Sequence, residues 1–139
     1  MTIHRISLPS RIEHCALLRA CVRAIGFAEG YHERFIDGVA LAVHEAFVNA
    51  VRHGNGSDPN LRVLVILRAG MEGGHHHLRV DVRDCGNGFS MNTLSKTARP
   101  GDAAVYSGRG LVLICHVADS VSVERLPGGS VLRMRYIPY

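Results

Sequence analysis

The feature that most constrains this chain is a change of hydrophobic period at Asp58-Pro59-Asn60. From Ile12 up to that turn, apolar residues recur at helical spacing; directly after it they come in short branched runs of the kind strands use. Ile3 to Leu8 alternates and is stopped by Pro9-Ser10, which predicts a first strand. Ser10 is then expected to cap a helix, with Glu13 as its capping-box partner. The helix carries Ala16, Leu17, Ala20, Cys21, Ala24 and Ile25 at its inner spacing and stops at Gly26. A second helix, about His32 to His53, has Phe35, Val39, Ala42, Val43, Ala46, Phe47, Ala50 and Val51 inward, and Gly54 as a left-handed cap.

Past the turn, Leu61–Leu67 and Leu78–Val82 read as a hairpin closed by the glycine-rich reversal at 69–74. Gly86 to Ser107 has little periodicity and reads as a long loop, a length that in a compact domain is usually functional or disordered. A short helix at Leu111–Val117 follows. A last hairpin, Val121–Leu126 and Ser130–Tyr136, turns at Pro127-Gly128-Gly129. This order predicts an α/β two-layer sandwich, helices on one sheet face, and the 139 residues suffice for one domain.

Composition narrows the function classes. The chain has 16 basic and 12 acidic residues, a formal net charge of +4, and Lys96 is its only lysine. The arginines are scattered rather than clustered in a tail, and there is no Trp and no aromatic interleaving for stacking bases, so no direct nucleic-acid role is expected. Lys96 follows Ser95 rather than glycine, so a Walker-type phosphate loop is excluded and any nucleotide must be held another way. No apolar run approaches the roughly 20 residues of a membrane helix, and the N-terminus lacks the charged-then-apolar order of a signal peptide. Cys15, Cys21, Cys85 and Cys115 form no Cys-x-x-Cys pair, which fits reduced thiols and a cytoplasmic location. The run His75-His76-His77 sits at the expected hairpin reversal and reads as an exposed polar turn.

Three clusters could carry chemistry. Glu45, Asn49 and His53 share one face of the second helix at i, i+4, i+8. A carboxylate can accept a proton, and a neutral amide oxygen suits Mg²⁺, although such a stripe alone also fits a solvated helix face. Asp84-Cys85-Gly86-Asn87-Gly88 follows a strand, where the aspartate could accept a hydrogen bond from an exocyclic amine and the glycines could take positive φ. Gly108-Arg109-Gly110-Leu111 opens a helix, and glycine there lets phosphate approach free N–H groups. Taken alone, the second reads more readily as an ordinary turn, and a flexible helix start also explains the third.

In order, Glu45-Ala-Phe-Val-Asn49-Ala-Val-Arg-His53-Gly54, Asp84-x-Gly86-x-Gly88 and Gly108-x-Gly110-Leu111 resemble the N box and two glycine boxes of the Bergerat-fold ATPases. Within that superfamily the chain is similar to the bacterial anti-sigma-factor serine/threonine kinases of the RsbW and SpoIIAB type, over essentially its whole length. The resemblance implies a Bergerat ATP-binding fold with a mixed, mostly antiparallel sheet, a single histidine-kinase-like ATPase domain over 1–139, and an ATP lid at about 90–107. It implies Glu45 as general base, Asn49 as the Mg²⁺ ligand and His53 at the phosphate end of the N box. It implies Asp84 on the adenine amino group, Gly86 and Gly88 shaping that pocket, and Ser130 supporting the aspartate. Gly108, Arg109, Gly110 and Leu111 would lie along the phosphates. The implied partners are ATP/ADP, a sigma factor, an anti-sigma-factor antagonist phosphorylated on serine or threonine, and a second copy in a homodimer. One position departs: well-known family kinases carry an arginine where this chain has Tyr106. The alternative function is a nucleotide-tuned binding module of the same fold, without transfer.

Overall fold

The computed structural model describes residues 1–86 and 118–138. Five strands form one sheet: β1 (Thr2–Pro9), β2 (Arg62–Glu72), β3 (His75–Asp84), β4 (Ser120–Leu126) and β5 (Gly129–Tyr136). Their order across the sheet is β1-β2-β3-β5-β4, and the described neighbours pair antiparallel throughout. Helices α1 (Cys15–Ala28) and α2 (Glu33–Asn49) cover one face, giving the expected two layers. The expected short helix at 111–117 lies outside the described residues.

Alternation along the strands sorts side chains between two faces. Val63, Val65 and Leu67 of β2, Leu78, Val80 and Val82 of β3, and Leu132, Met134 and Tyr136 of β5 face the helices and are buried. The predicted inner face of α2 is buried at every position named for it. Burial of each such large side chain contributes about 1.5–3 kcal/mol. Phe35 makes edge-on ring contacts with Tyr31 at 5.2 Å and Tyr136 at 5.9 Å, tying the start of α2 to the end of β5.

Several local expectations are corrected. Ser10 caps no helix: a 3-10 turn, Ile12–His14, precedes α1 with Arg11 at its cap position and no side-chain cap. Ser10 is instead buried, and its hydroxyl accepts a hydrogen bond from Asn55 Nδ2 at 2.6 Å. Gly26 lies inside α1, because a Cβ there would sit 2.7 Å from Ile36 Cγ1; the glycine permits the two helices to approach. The stop is Gly30 at φ +80°, where Gly30 N–H bonds the Phe27 carbonyl and Tyr31 N–H the Gly26 carbonyl, a Schellman ending. The inner face of α1 is Cys15, Leu18, Val22 and Gly26, whereas Ala16, Leu17, Ala20 and Ala24 are exposed.

Gly54 is not left-handed either: α2 passes into a π-helical turn, Ala50–Gly54, and the positive φ values fall on Gly56 and Ser57. The first hairpin runs further than expected, to Glu72 and from His75, with only Gly73-Gly74 turning, both at positive φ. His75, His76 and His77 therefore open β3 and alternate in direction, and the described residues hold no group of three side chains able to bind a metal. The Gly73-Gly74 turn lies at the opposite end of β3 from Asp84. The start of β1 (Thr2 opposite Ala69) and the end of β5 (Tyr136 opposite Leu78) share the turn's end of the sheet.

Candidate functional site

The end of α2, the end of β3 and the start of β5 converge on Asp84. Its register partner on β5 is Ser130, so both point to the helical side of the sheet. Ser130 Oγ donates to Asp84 Oδ2 at 2.8 Å, and the Gly86 N–H donates to Oδ1 at 3.1 Å. Asp84 and Ser130 are both buried. Burial is the largest influence on the carboxyl and pushes its pKa up, opposed by the Ser130 hydroxyl, the Gly86 and Ser130 backbone N–H groups, and Arg125. No ion pair reaches Asp84 among the described residues, so the carboxylate keeps acceptor capacity for a donor from outside.

Three glycines make this convergence possible by lacking a side chain. A Cβ on Gly54 would overlap the Asp84 carboxylate, one on Gly86 would overlap the Gly54 carbonyl, and one on Gly129 would overlap the Asp84 carbonyl. Gly86 thus serves close packing, and its φ lies outside the left-handed region that the sequence suggested for it. Gly54 and Gly129 were not singled out for this role by sequence. Nor was Asn55, whose buried amide donates to Ser10 Oγ and to the Arg62 carbonyl (3.1 Å) and accepts the Cys85 N–H at 2.7 Å. It fastens the turn after α2 to the residue following Asp84. An asparagine after His-Gly at the end of a helix is the only local signal it offers.

Glu45 and Asn49 are half-buried on α2, and the Asn49 Nδ2 atom is buried with no hydrogen-bond partner among the described residues. His53 is exposed in the π-helical turn next to Gly54, at the end of α2 nearest Asp84. The structure therefore brings together Asp84, Gly86 and Ser130 with the Gly54 end of the first cluster. Cys85 is an exposed free thiol beside them and lines a surface recess with Gly86, Arg125 and the β4–β5 turn. Gly88, Tyr106, Gly108, Arg109, Gly110 and Leu111, and the lid expected at 90–107, lie outside the described residues. No described helix is long and apolar enough to cross a membrane.

Comparison with known proteins identifies a family and fold neighbours. Residues 8–136 match the family model described as histidine kinase-like ATPase domain. Serine-protein kinase RsbW of Staphylococcus aureus is 26% identical over 136 residues, covering 94% of this chain and 84% of the relative. Serine-protein kinase RsbW of Bacillus thuringiensis (strain Al Hakam) is 25% identical over 138 residues, covering 95% and 83%. Among solved structures, the RsbU and RsbW domains of Rv1364c from Mycobacterium tuberculosis superpose with a TM-score of 0.69 at 19% identity. That match covers 99% of this chain and 33% of the other, so this chain corresponds to about a third of the longer protein. The SiaB–SiaC complex from Pseudomonas aeruginosa supplies a second neighbour, with a TM-score of 0.59, 16% identity and coverage of 96% and 89%.

Proposed function

Since the chain belongs to the histidine kinase-like ATPase domain family, we propose that it is an ATP-dependent protein serine/threonine kinase that doubles as an anti-sigma factor. It would phosphorylate a small antagonist protein and sequester a sigma factor, as a cytoplasmic homodimer. The observation that carries the reading is the Asp84 site: a buried carboxylate, held by a hydroxyl and an amide rather than by a cation, at the junction of the N box and a glycine turn. Such a group suits the exocyclic amine of adenine, which it can meet as an acceptor. The names of the RsbW relatives support the transfer reaction.

The residues present fit Mg²⁺-ATP. Asn49 Oδ1 is the atom that suits the ion, its Nδ2 has no partner among the described residues and is free to donate to a phosphate oxygen, and no described cluster of carboxylates would hold the ion alone. An ion taken up by Asn49 would keep waters and phosphate oxygens as its other ligands. When bound, Mg²⁺-ATP supplies the phosphoryl group and neutralises its charge. Glu45 would accept the proton of the substrate hydroxyl, and His53, Gly86 and Ser130 would complete the nucleotide site around Asp84. Gly88, Gly108, Arg109, Gly110 and Leu111 are assigned to the rest of that site on the resemblance alone.

Calorimetry with ATP, with and without Mg²⁺, tests the binding step. Glu45→Gln should abolish phosphorylation of an antagonist while ATP affinity stays within about threefold; unchanged transfer would remove Glu45 as the base. Sedimentation tests the homodimer. The second reading, a nucleotide-tuned binding module, is favoured by Tyr106 at the position of a family arginine. Tight ATP and sigma-factor binding, with no phospho-product from any antagonist, would establish it.

A further inference from the structure

The sheet face turned away from the helices carries an excess of positive charge. The β1–β2–β3 register places Arg5, Arg62, Arg68, Arg79 and Arg83 on it. From β5 it gains Arg133 and Arg135. The carboxylates with the same register parity are Glu72, Asp81 and Glu124. Seven arginines against three carboxylates leave a surplus of four on one face. The other described residues hold six arginines and eight carboxylates, a deficit of two. Seven of the scattered arginines are therefore gathered by strand alternation, and the described residues are polarised between this face and the rest.

The arrangement of this face is ordered around Asp81. Asp81 is 1% exposed, with Arg68 Nη1 at 2.9 Å from Oδ2 and Arg133 Nε at 3.6 Å from Oδ1. Arg133 also pairs with Glu124, and Arg135 with Glu72 at 3.2 Å. The Nε atoms of Arg83 and Arg133 are buried without a hydrogen-bond partner among the described residues. Arg5 and Arg79 are exposed, and their guanidinium groups make no hydrogen bond or ion pair among the described residues. Ile66 and Val131 form an apolar floor, each buried between polar cross-strand neighbours.

We propose that this open sheet face is a docking surface for an acidic protein segment. Charge complementarity selects the occupant: guanidinium forks pair with carboxylates in bidentate geometry. A second copy laid face to face would oppose two like-charged surfaces, which costs affinity. Nucleic acid is disfavoured because the strand positions on this face carry no Phe, Tyr or Trp, and their two imidazoles, His75 and His77, lie together at the Gly73-Gly74 end rather than along the face as a stacking platform. A duplex is read by a helix or ribbon entering its groove, and a broad sheet face offers neither.

The test uses the full chain and a fluorescein-labelled deca-glutamate peptide, followed by anisotropy at low and moderate salt. Binding should weaken steeply with salt and fall at least tenfold in the Arg5→Glu/Arg79→Glu variant. Arg19→Glu/Arg34→Glu makes the same change in net charge on the helical layer and should fall less than twofold. Equal losses in the two variants would overturn the proposal, because bulk charge would explain them. Tighter binding of a ten-nucleotide oligothymidine would overturn it in favour of nucleic acid. A dimer that sedimentation finds in the parent and not in Arg5→Glu/Arg79→Glu would overturn it in favour of self-association. Circular dichroism of both variants establishes that they are folded.

Discussion

Asp81 and Asp84 lie three residues apart on β3, and both are buried, but they point to opposite faces of the sheet and are held by different chemistry. Asp81 is gripped by the guanidinium groups of Arg68 and Arg133. Asp84 is held, among the described residues, by neutral donors, Ser130 Oγ and the Gly86 N–H. An aspartate between two cations has its charge answered within the fold and contributes to stability. One satisfied by neutral dipoles remains underneutralised, and burial raises its pKa. The pair shows how one strand can carry a structural carboxylate and a recognition carboxylate, separated by an odd number of residues.

The sharpest way to break this contrast is Asp81→Ala. It strands two partly buried arginines and should destabilise the protein by about 3 kcal/mol, read from the urea midpoint, with nucleotide affinity nearly unchanged. Asp84→Ala should do the reverse. Loss of a charge-assisted hydrogen bond to adenine, about 1.5–3 kcal/mol, weakens ATP binding by roughly ten- to a hundredfold in calorimetry, with a smaller change in the midpoint. If both variants lose stability and neither loses ATP, the two carboxylates have the same role. Ser130→Ala removes one donor from Asp84 and should cost about 1 kcal/mol of stability, with a several-fold loss in ATP affinity.

The smallest effect is in pH dependence. The Asp84 pKa is raised on folding, so the group favours the folded state least when ionised. Its stabilising share is fully present below the ordinary value of 3.8 and is lost as pH rises through the folded value. Asp84→Asn mimics the neutral form. It should be slightly more stable than the parent at pH 7, and the gap should close as pH falls towards 3.8, in paired urea titrations. A gap that widens on acidification would mean that the carboxylate is stabilised as an anion.

Much of this architecture is legible in the sequence where a local signal and its purpose coincide. The inner face of α2 and the two hairpins follow from residues whose neighbours in sequence set their role, whereas the Asp84–Ser130 association, 46 residues apart, is implied by the family resemblance alone. Failures occur where a residue answers to a distant one. Ser10 reads as a cap because Glu13 is near, yet its hydroxyl is taken by Asn55, 45 residues away. Gly26 reads as a helix stop, yet it is the contact point for Ile36. The phase of α1 is not legible because alanine, leucine and cysteine occur almost all round that helix, leaving its period intact and its orientation undetermined. Gly54 and Gly129 look like turn residues, and only the superposition of three chain segments reveals that they are spaces kept clear for Asp84. The gathering of arginines on one face is likewise invisible in a linear count, because it depends on register.

The Gly73-Gly74 turn has a use for experimenters. Along β3 it stands about 30 Å from Asp84 at the usual rise per residue, and the first residues of β1 and the last of β5 share its end of the sheet. That end is a handle. A dye, an affinity tag or a surface tether grafted there would leave the opposite end unobstructed, so single-molecule traces of nucleotide exchange could be recorded from an immobilised protein without the attachment shading what it reports.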